Sequence, residues 1–287
     1  MATLPSPRVR VSIKETDFES LASLTAKVHP LPPRPIRDTR PSQWLGWQHQ
    51  SALFSNISQQ AYQEIVSAAR YRGLTRSQTI HLEGDPVRQV VLLTSGSAKI
   101  VQFGLNGTEV ILRLCGPGEL VGTLGFCTDG QHSATARALQ TSGALVWDIG
   151  VFDSISRRFP VLRSNTALIL AKQLEDIQDR FREIATCRVG ARLSHQIVRL
   201  TKQVGHPKDG AVEIRISREE LAQLIGTTMF TVSRLLSKWD ERGIVSARRG
   251  SVLVRNLKAL EDLSQSNETL ERRSLRAPRA GIQLLRK

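Results

Sequence analysis

The side chains best suited to chemistry lie near the C-terminus, between residues 217 and 254. Arg234 can present two parallel donors to the O6 and N7 acceptors of a guanine, and Ser233 can hydrogen-bond a base or a phosphate. Met229 and Phe230 can contact the methyl group of a thymine. Four residues are therefore predicted to contact base edges of double-stranded DNA: Met229, Phe230, Ser233 and Arg234.

Hydroxyls and cations around these residues suit the phosphate backbone. Phosphate contacts fix the register of a protein on the duplex, whereas base contacts carry the sequence information. For Arg234 the alternative is a solvated or ion-paired side chain without a nucleic-acid role. The predicted phosphate contacts are Ser217, Thr228, Lys238, Arg248 and Arg249.

Two helices must hold these side chains in place. Ser217 and Glu220 have the spacing of a capping box, in which the hydroxyl and the carboxylate each satisfy a free backbone amide at the start of a helix. Ala222 is small enough for a second helix to approach, and Gly226 permits the turn that follows. The pattern predicts a helix-turn-helix whose recognition helix covers Thr228–Arg242.

The rest of this segment supports the same interpretation. Val232 and Leu235 place apolar groups on the inner face of the recognition helix. Residues 243–246 and 252–254 have the composition of strands, and the turn at residues 248–250 is basic, which predicts a hairpin wing. The alternative is a two-helix corner that binds no nucleic acid.

The charge is concentrated in the same part of the chain. The formal net charge is +14; the first 187 residues hold 20 Lys and Arg against 16 Asp and Glu, and the last hundred hold 20 against 10. A basic C-terminal part favours a polyanionic partner. A basic surface that only keeps the protein in solution is the alternative on charge alone.

A β-domain is predicted ahead of these helices, between residues 72 and 152. Its apolar runs are short and turn residues separate them at close intervals, which is typical of an antiparallel sheet closed into a barrel or roll. Asn106-Gly107 is a hairpin turn. The clearest strands cover residues 90–94, 98–103, 109–114 and 145–149.

A long helix is predicted over residues 161–186. Apolar residues recur there at alternating spacings of three and four with charged residues between them, as in a heptad seam. We expect this seam to hold a homodimer; the alternative is one amphipathic helix packed on its own domain. The seam residues are Ala167, Leu170, Leu174, Ile177, Phe181 and Ile184.

These elements predict five segments in an α+β chain. Residues 1–45 form a Pro-rich leader that we expect to be disordered, and residues 46–155 form the β-domain. The dimerisation helix covers residues 156–187, the winged helix-turn-helix residues 188–263, and a basic tail residues 264–287.

Several classes of protein are disfavoured. Cys115, Cys127 and Cys187 are scattered, which argues against a disulfide framework or a structural zinc site and fits a reducing cytoplasm. No apolar run is long enough to cross a membrane and no export segment is recognisable, so we expect no membrane partner. Neither a phosphate-binding glycine loop nor a nucleophile with a paired base is present, so no enzyme activity is expected.

The order of these parts resembles the cAMP receptor protein/FNR family of bacterial transcription regulators, over residues 53–263. Residues 91–98, VLLTSGSA, are similar to the family's strand and turn, and residues 116–122, GPGELVG, to its approach to the ligand pocket. Residues 217–236 are similar to its helix-turn-helix, with TVSR at 231–234 close to the FNR-like recognition pattern. The resemblance implies a β-roll sensor like a cyclic-nucleotide-binding domain (a double-stranded β-helix), a dimerisation helix and a winged helix-turn-helix.

The resemblance also implies an effector pocket. The cAMP-binding members offer a glutamate to the ribose and then an arginine, followed by serine, to the cyclic phosphate; here these places hold Thr123 and His132-Ser133. A neutral histidine does not replace the bidentate guanidinium, so the positions argue against cAMP. On the long helix, the cAMP-binding members present hydroxyls to the adenine, and the matching positions here hold Ile177 and Gln178. The expected pocket residues are Gly122, Thr123, Leu124, His132, Ser133, Ile177 and Gln178.

No cofactor is identified. An FNR-type iron-sulfur cluster requires four cysteines, and three are present. Cys115, Cys127 and His132 lie in the domain where heme-sensing relatives bind heme, but their spacing matches no heme site, and ordinary buried or loop positions explain them. RNA polymerase would be a further partner of an activator, and no residue identifies that contact.

The resemblance implies a homodimer whose half-sites lie about 34 to 36 Å apart and whose reading helices respond to a signal. Phe230 stands where the family commonly places a glutamate, so the target site is expected to differ at that base pair. Two alternatives remain: an enzyme subunit with a regulatory domain, and an architectural DNA binder that is blind to sequence.

Overall fold

The computed structural model of the chain describes residues 51–122 and 130–264. The predicted leader lies outside these residues, and so does the basic tail apart from its first residue. Within the described ranges, no helix combines the length and the apolarity that a membrane crossing needs.

Two four-stranded antiparallel sheets form the β-roll. One has the order β1-β8-β3-β6 and the other β2-β7-β4-β5. The strands are β1 Arg70–Leu74, β2 Thr79–His81, β3 Gln89–Ser95, β4 Ala98–Phe103, β5 Glu109–Cys115, β6 Leu120–Val121, β7 Thr135–Ala138 and β8 Ser142–Asp148. The predicted strands and the hairpin between β4 and β5 are confirmed, although β8 ends at Asp148 because Ile149 begins a helix.

Alternation along the strands places apolar side chains on both faces of each sheet. In β3, Val91 and Leu93 point into the roll, whereas Val90 and Leu92 point outward under the helices. This is the period of two that a strand imposes. Both faces of the first sheet are therefore covered, which explains why β3 and β8 are almost continuously apolar.

Helices cover the outer face of the first sheet. They are α1 Gln59–Ser67, α2 Ile149–Arg158 and α3 Val161–Thr186. The Trp147 indole of β8 is fully buried and donates to the carbonyl of Ile65 at 2.8 Å. The buried Asn165 amide ties α3 to the chain before α1, because it donates to the carbonyls of Leu53 and Ser55, both at 2.8 Å. The long helix predicted over residues 161–186 is confirmed.

The C-terminal part contains a helix-turn-helix and a small sheet. Its elements are α4 Val189–Gln203, β9 His206–Lys208, β10 Ala211–Ile214, α5 Arg218–Ile225, α6 Met229–Glu241, β11 Val245–Arg248 and β12 Ser251–Val254. The strands pair in the order β11-β12-β10-β9, so the predicted wing hairpin is confirmed and extends onto two strands that were not predicted.

One hydrophobic core joins the β-roll to this C-terminal part. Ile111 and Leu114 of β5 pack in the same cluster as Leu193 of α4 and Leu221 of α5. All four side chains are 2% exposed or less. The second sheet of the roll therefore uses its outer face to hold the helix-turn-helix.

Candidate functional site

The first helix of the helix-turn-helix starts and ends as its sequence predicts. The amide of Ser217 donates to the Glu220 carboxylate at 2.7 Å, and the amide of Glu220 donates to the Ser217 hydroxyl at 3.1 Å. Ala222 is buried in the core cluster that includes Val232 and Leu236 of the second helix. Gly226 caps α5 in the left-handed region, with φ of 64° and ψ of 58°, where a side chain would be strained.

Buried side chains fix the second helix, α6, in its orientation. Val232, Leu236 and Trp239 lie on its inner face and are 4% exposed or less. The prediction of Val232 is confirmed, whereas Leu235 is only partly buried at the edge of this core. Leu236 and Trp239 were missed, although their spacing of four and then three from Val232 is the helical period that identifies an inner face.

The residues predicted to contact bases share the outer face of α6. Met229 is 44% exposed and Phe230 is 76% exposed, Arg234 is exposed, and Ser233 is half-buried. Their spacing of one, three and one residues keeps them on one side of a helix. A face of this kind, near the N-terminus of the second helix, is the one that such motifs place in the major groove.

The residues predicted to contact phosphates fall into two groups. Lys238 and the wing residues Arg248 and Arg249 are exposed; none of them has an ion pair within the described ranges. Ser217 and Thr228 are helix caps: the Ser217 hydroxyl donates to Glu220 at 2.7 Å, and the Thr228 hydroxyl accepts from the amide of Thr231 at 3.3 Å. The three cations are therefore more available for phosphates than the two hydroxyls.

Two histidines stack beside Gly122, one of the residues expected to line the effector pocket. The imidazole rings of His81 and His132 stack with centroids 3.5 Å apart and planes 3° apart. A β-carbon added to Gly122 would lie 2.4 Å from Cε1 of His81, so a residue other than glycine would collide with the pair. The structure thus brings Gly122 and His132 together, and it adds His81, which no local sequence pattern indicates.

The other expected pocket residues are not in this group. Thr123 and Leu124 lie outside the described residues. Ser133 is exposed, and its carbonyl accepts from the Gln102 amide at 2.8 Å. Ile177 and Gln178 are exposed on α3. Their roles in effector binding remain predictions.

A separate cavity lies where the β-roll meets α3 and α4. It has a volume of about 620 Å³, and its lining includes Ile177 but neither Gly122 nor His132. Arg180 of α3 crosses it to donate to the carbonyl of Leu112 in β5 and to Gln196 of α4. Burial lowers the pKa of this guanidinium to about 10.

A second polar link crosses the same junction. The Gln203 amide of α4 donates to the Leu114 carbonyl at 2.9 Å and to both carboxylate oxygens of Glu119, at 3.0 and 2.9 Å. Burial raises the pKa of Glu119, against the opposing charge of Arg113. No local pattern in the sequence indicates these residues, because Glu119 and Gln203 are separated by 84 positions.

Comparison with known proteins matches both halves of the chain. Residues 71–159 match the family described as the cyclic nucleotide-binding domain, and residues 191–263 match the Crp-like helix-turn-helix domain. The chain belongs to the cAMP receptor protein/FNR family. It is therefore a DNA-binding transcription regulator with an effector-binding domain, and not an enzyme.

Relatives of this family member cover most of its length. The cyclic AMP receptor protein of Thermus thermophilus is 28% identical over 214 residues, which are 75% of this chain and 97% of the relative. The anaerobic regulatory protein of Pasteurella multocida is 26% identical over 202 residues, 70% of this chain and 74% of the relative.

Solved structures of family members share the fold. The c-di-GMP responsive regulator CLP of Xanthomonas campestris superposes with a TM-score of 0.59 at 22% identity, covering 69% of this chain and 99% of that chain. FixK2 of Bradyrhizobium japonicum gives a TM-score of 0.61 at 18% identity, covering 68% of this chain and 96% of that chain.

The histidine pair predicts a pH dependence of stability. Burial, with the neighbouring His132, lowers the pKa of His81 from 6.5 to about 3. Between pH 6.5 and about 3, His81 is protonated in the unfolded chain and neutral in the folded chain. The free energy of unfolding therefore falls as the pH drops below 6.5. We expect a loss of about 2 kcal/mol at pH 5, measured by urea unfolding.

His81→Gln should make this dependence shallower, because glutamine does not titrate. Part of the slope should remain, because burial also lowers the pKa of His132. The matched control is His206→Gln, in β9 of the C-terminal sheet, which should retain the wild-type slope. An unchanged slope in His81→Gln would assign the acid sensitivity to another group.

Proposed function

We propose that this regulator binds a two-fold symmetric DNA site as a homodimer and reads its sequence with α6. The observation that carries the proposal is the outer face of α6 beside a basic wing, where four side chains of the right chemistry have no hydrogen bond or ion pair with the residues that the structure describes. The proposal keeps the predicted division into a sensor over residues 46–155, a dimerisation helix over 156–187 and a DNA-binding domain over 188–263.

The chemistry of that face supports direct readout. Arg234 is exposed near the start of the helix, where its guanidinium can bond a guanine edge. Phe230 is 76% exposed, so its ring is accessible for an apolar contact. A thymine methyl group is an apolar partner of suitable size in the major groove. Lys238, Arg248 and Arg249 then supply the phosphate contacts that orient the helix.

The two faces of α3 support the homodimer. Asn165 and Arg180 face the chain's own fold, where they make the bonds described above. About a third of a turn away, a stripe of apolar side chains is exposed along the helix: Leu174 at 57%, Ile177 at 50%, Phe181 at 73% and Ile184 at 53%. A self-complementary stripe of this kind is buried when two copies pair about a two-fold axis.

We infer that the sensor responds to a small effector other than cAMP. The relatives include a cyclic AMP receptor protein and a c-di-GMP responsive regulator, so the fold accepts more than one effector. In this chain His132 stands in place of the arginine that binds the cyclic phosphate, and the His81 ring lies against Gly122. Both features disfavour a cyclic phosphate at that place.

The proposal is tested by selecting DNA sites from random duplexes with the purified full-length protein, at about 0.15 M salt. One selection contains no added ligand and a parallel one contains cAMP. Enrichment of the same two-fold symmetric site in both supports a dimer that reads sequence without cAMP. Equal binding of random and selected duplexes would indicate a sequence-blind binder, and enrichment only with cAMP would contradict the inference about the effector.

Arg234 and Lys238 should behave differently on the selected site. Arg234→Ala should lose about 1 to 3 kcal/mol at the base pair it reads and relax specificity there, because a bidentate bond to one base is removed. Lys238→Ala should weaken binding to all sequences alike and reduce the salt dependence of binding by about one unit of slope. Fluorescence anisotropy with single-base variants of the site distinguishes the two. If Arg234→Ala lost the same binding free energy on every sequence, Arg234 would not read a base.

Phe181→Glu should dissociate the dimer, because it places a charge on each copy at the centre of the apolar stripe. Sedimentation equilibrium should then shift from twice the chain mass towards 31.9 kDa. Leu105→Glu is the control, since Leu105 is fully exposed in the turn between β4 and β5, away from α3. A wild-type protein that sediments as a monomer would contradict the proposal directly.

A further inference from the structure

Arg192, in the first turns of α4, binds three backbone carbonyls from two other elements. Its Nη1 donates to the carbonyl of Cys187 at 3.1 Å. Its Nε donates to the carbonyl of Ile225 at 3.2 Å, and its Nη2 donates to that of Gly226 at 3.4 Å. One guanidinium therefore reaches the end of α3 and the turn of the helix-turn-helix at the same time.

These carbonyls lie at helix ends that need a partner. Cys187 is the C-terminal cap of α3, Ile225 is the last residue of α5, and Gly226 is the cap of α5. The final carbonyls of a helix have no amide within it to bond, and they carry the negative end of the helix dipole. A cation with several donors in one plane satisfies both ends, and only arginine has that geometry.

The start of α4 also contacts the recognition helix. A β-carbon at Gly190 would lie 3.8 Å from Cδ2 of Leu235 in α6, so the backbone of α4 passes close to that helix. Val189 and Leu235 pack against the same core. The start of α4 therefore holds the turn between α5 and α6 through Arg192 and contacts α6 itself through Gly190.

We propose that Arg192 is a positioning residue that sets the angle between the dimerisation helix α3 and the recognition helix α6. The inference rests on the proposed homodimer and its symmetric site. It assigns to Arg192 no contact with DNA: the side chain is half-buried, and all three of its nitrogens are bonded to carbonyls of the protein.

The consequence is specific to DNA with two half-sites. Two recognition helices must enter successive major grooves about 34 Å apart, so an error in the angle of each prevents both from fitting together. A single half-site imposes no such condition, because one helix can dock alone. Loss of Arg192 should therefore weaken the full site and spare the half-site.

The test compares Arg192→Gln and Arg192→Lys with wild type in the full-length protein. The control is Arg188→Gln: Arg188 is one turn earlier, carries the same charge and is exposed. Binding is measured by anisotropy on three duplexes derived from the selected symmetric site: the site itself, the site with its spacer changed by one base pair, and one half-site. Each measurement is repeated across a range of salt concentrations.

Both Arg192 variants should bind the full site about tenfold more weakly, a coupling of ordinary size. They should also lose the preference for the natural spacer, while half-site affinity and the salt slope stay at wild-type values. The lysine variant decides between charge and geometry, since it retains the charge and cannot reach three carbonyls. Arg188→Gln should behave as wild type.

Three results would overturn the proposal. Equal loss on full and half-sites would mean that Arg192 only stabilises the domain, and a salt slope reduced by about 0.9 would mean that it contacts a phosphate. If Arg192→Lys bound all three duplexes as wild type does, the positive charge of Arg192 would matter and its bonds to three carbonyls would not.

A measurement without DNA separates this proposal from the one on which it rests. A spin-labelled amino acid at position 238 of each protomer reports the distance between the two recognition helices by pulsed electron resonance. The distance distribution should be narrow in wild type and clearly broader in both Arg192 variants. An unchanged distribution overturns the positioning role even if the DNA selection succeeds, whereas absence of any distance between protomers contradicts the homodimer itself.

Discussion

The contact between β5 and the first two helices of the DNA-binding part is the constraint on which the rest of this structure depends. Ile111 and Leu114 use the outer face of a sheet that would otherwise be exposed, and Leu193 and Leu221 complete the core from the other side. Because protein cores are close-packed, a shift of β5 cannot be absorbed there without moving α4 and α5. The polar bonds of Arg180 and Gln203 surround this core and fix its register.

Local periodicity predicted much of the fold. The long helix, the clearest strands of the roll, the capping box and the wing follow from spacings within about 20 residues, where the helical and strand periods are visible. Helices α1, α2 and α4 and strands β9 and β10 were not predicted. The strands β9 and β10 have three and four residues, and the Asp209-Gly210 turn that joins them is a hairpin signal that could have identified them. Leu236 and Trp239 could have been found from the period of α6, and they were not.

The functional sites also differ in how far the sequence predicts them. The outer face of α6 could be predicted because one helix carries all of it, whereas His81 and His132 meet only through the closure of the roll. Glu119 and Gln203 come from different halves of the chain. Bonds of this kind depend on how distant elements pack, and no single segment records them. The sequence shows that the arginine expected to bind a cyclic phosphate is absent, but it does not show that the His81 ring lies against Gly122.

The exposed aromatic side chain on α6 has a consequence for the chemistry of the target DNA. If Phe230 recognises a thymine by its methyl group, it detects a feature that thymine shares with 5-methylcytosine, which carries the same group at the same ring position. A carboxylate that accepts from the cytosine amino group has no direct contact with this mark. An apolar reader at this position would therefore respond to the methylation state of the target site as well as to its sequence.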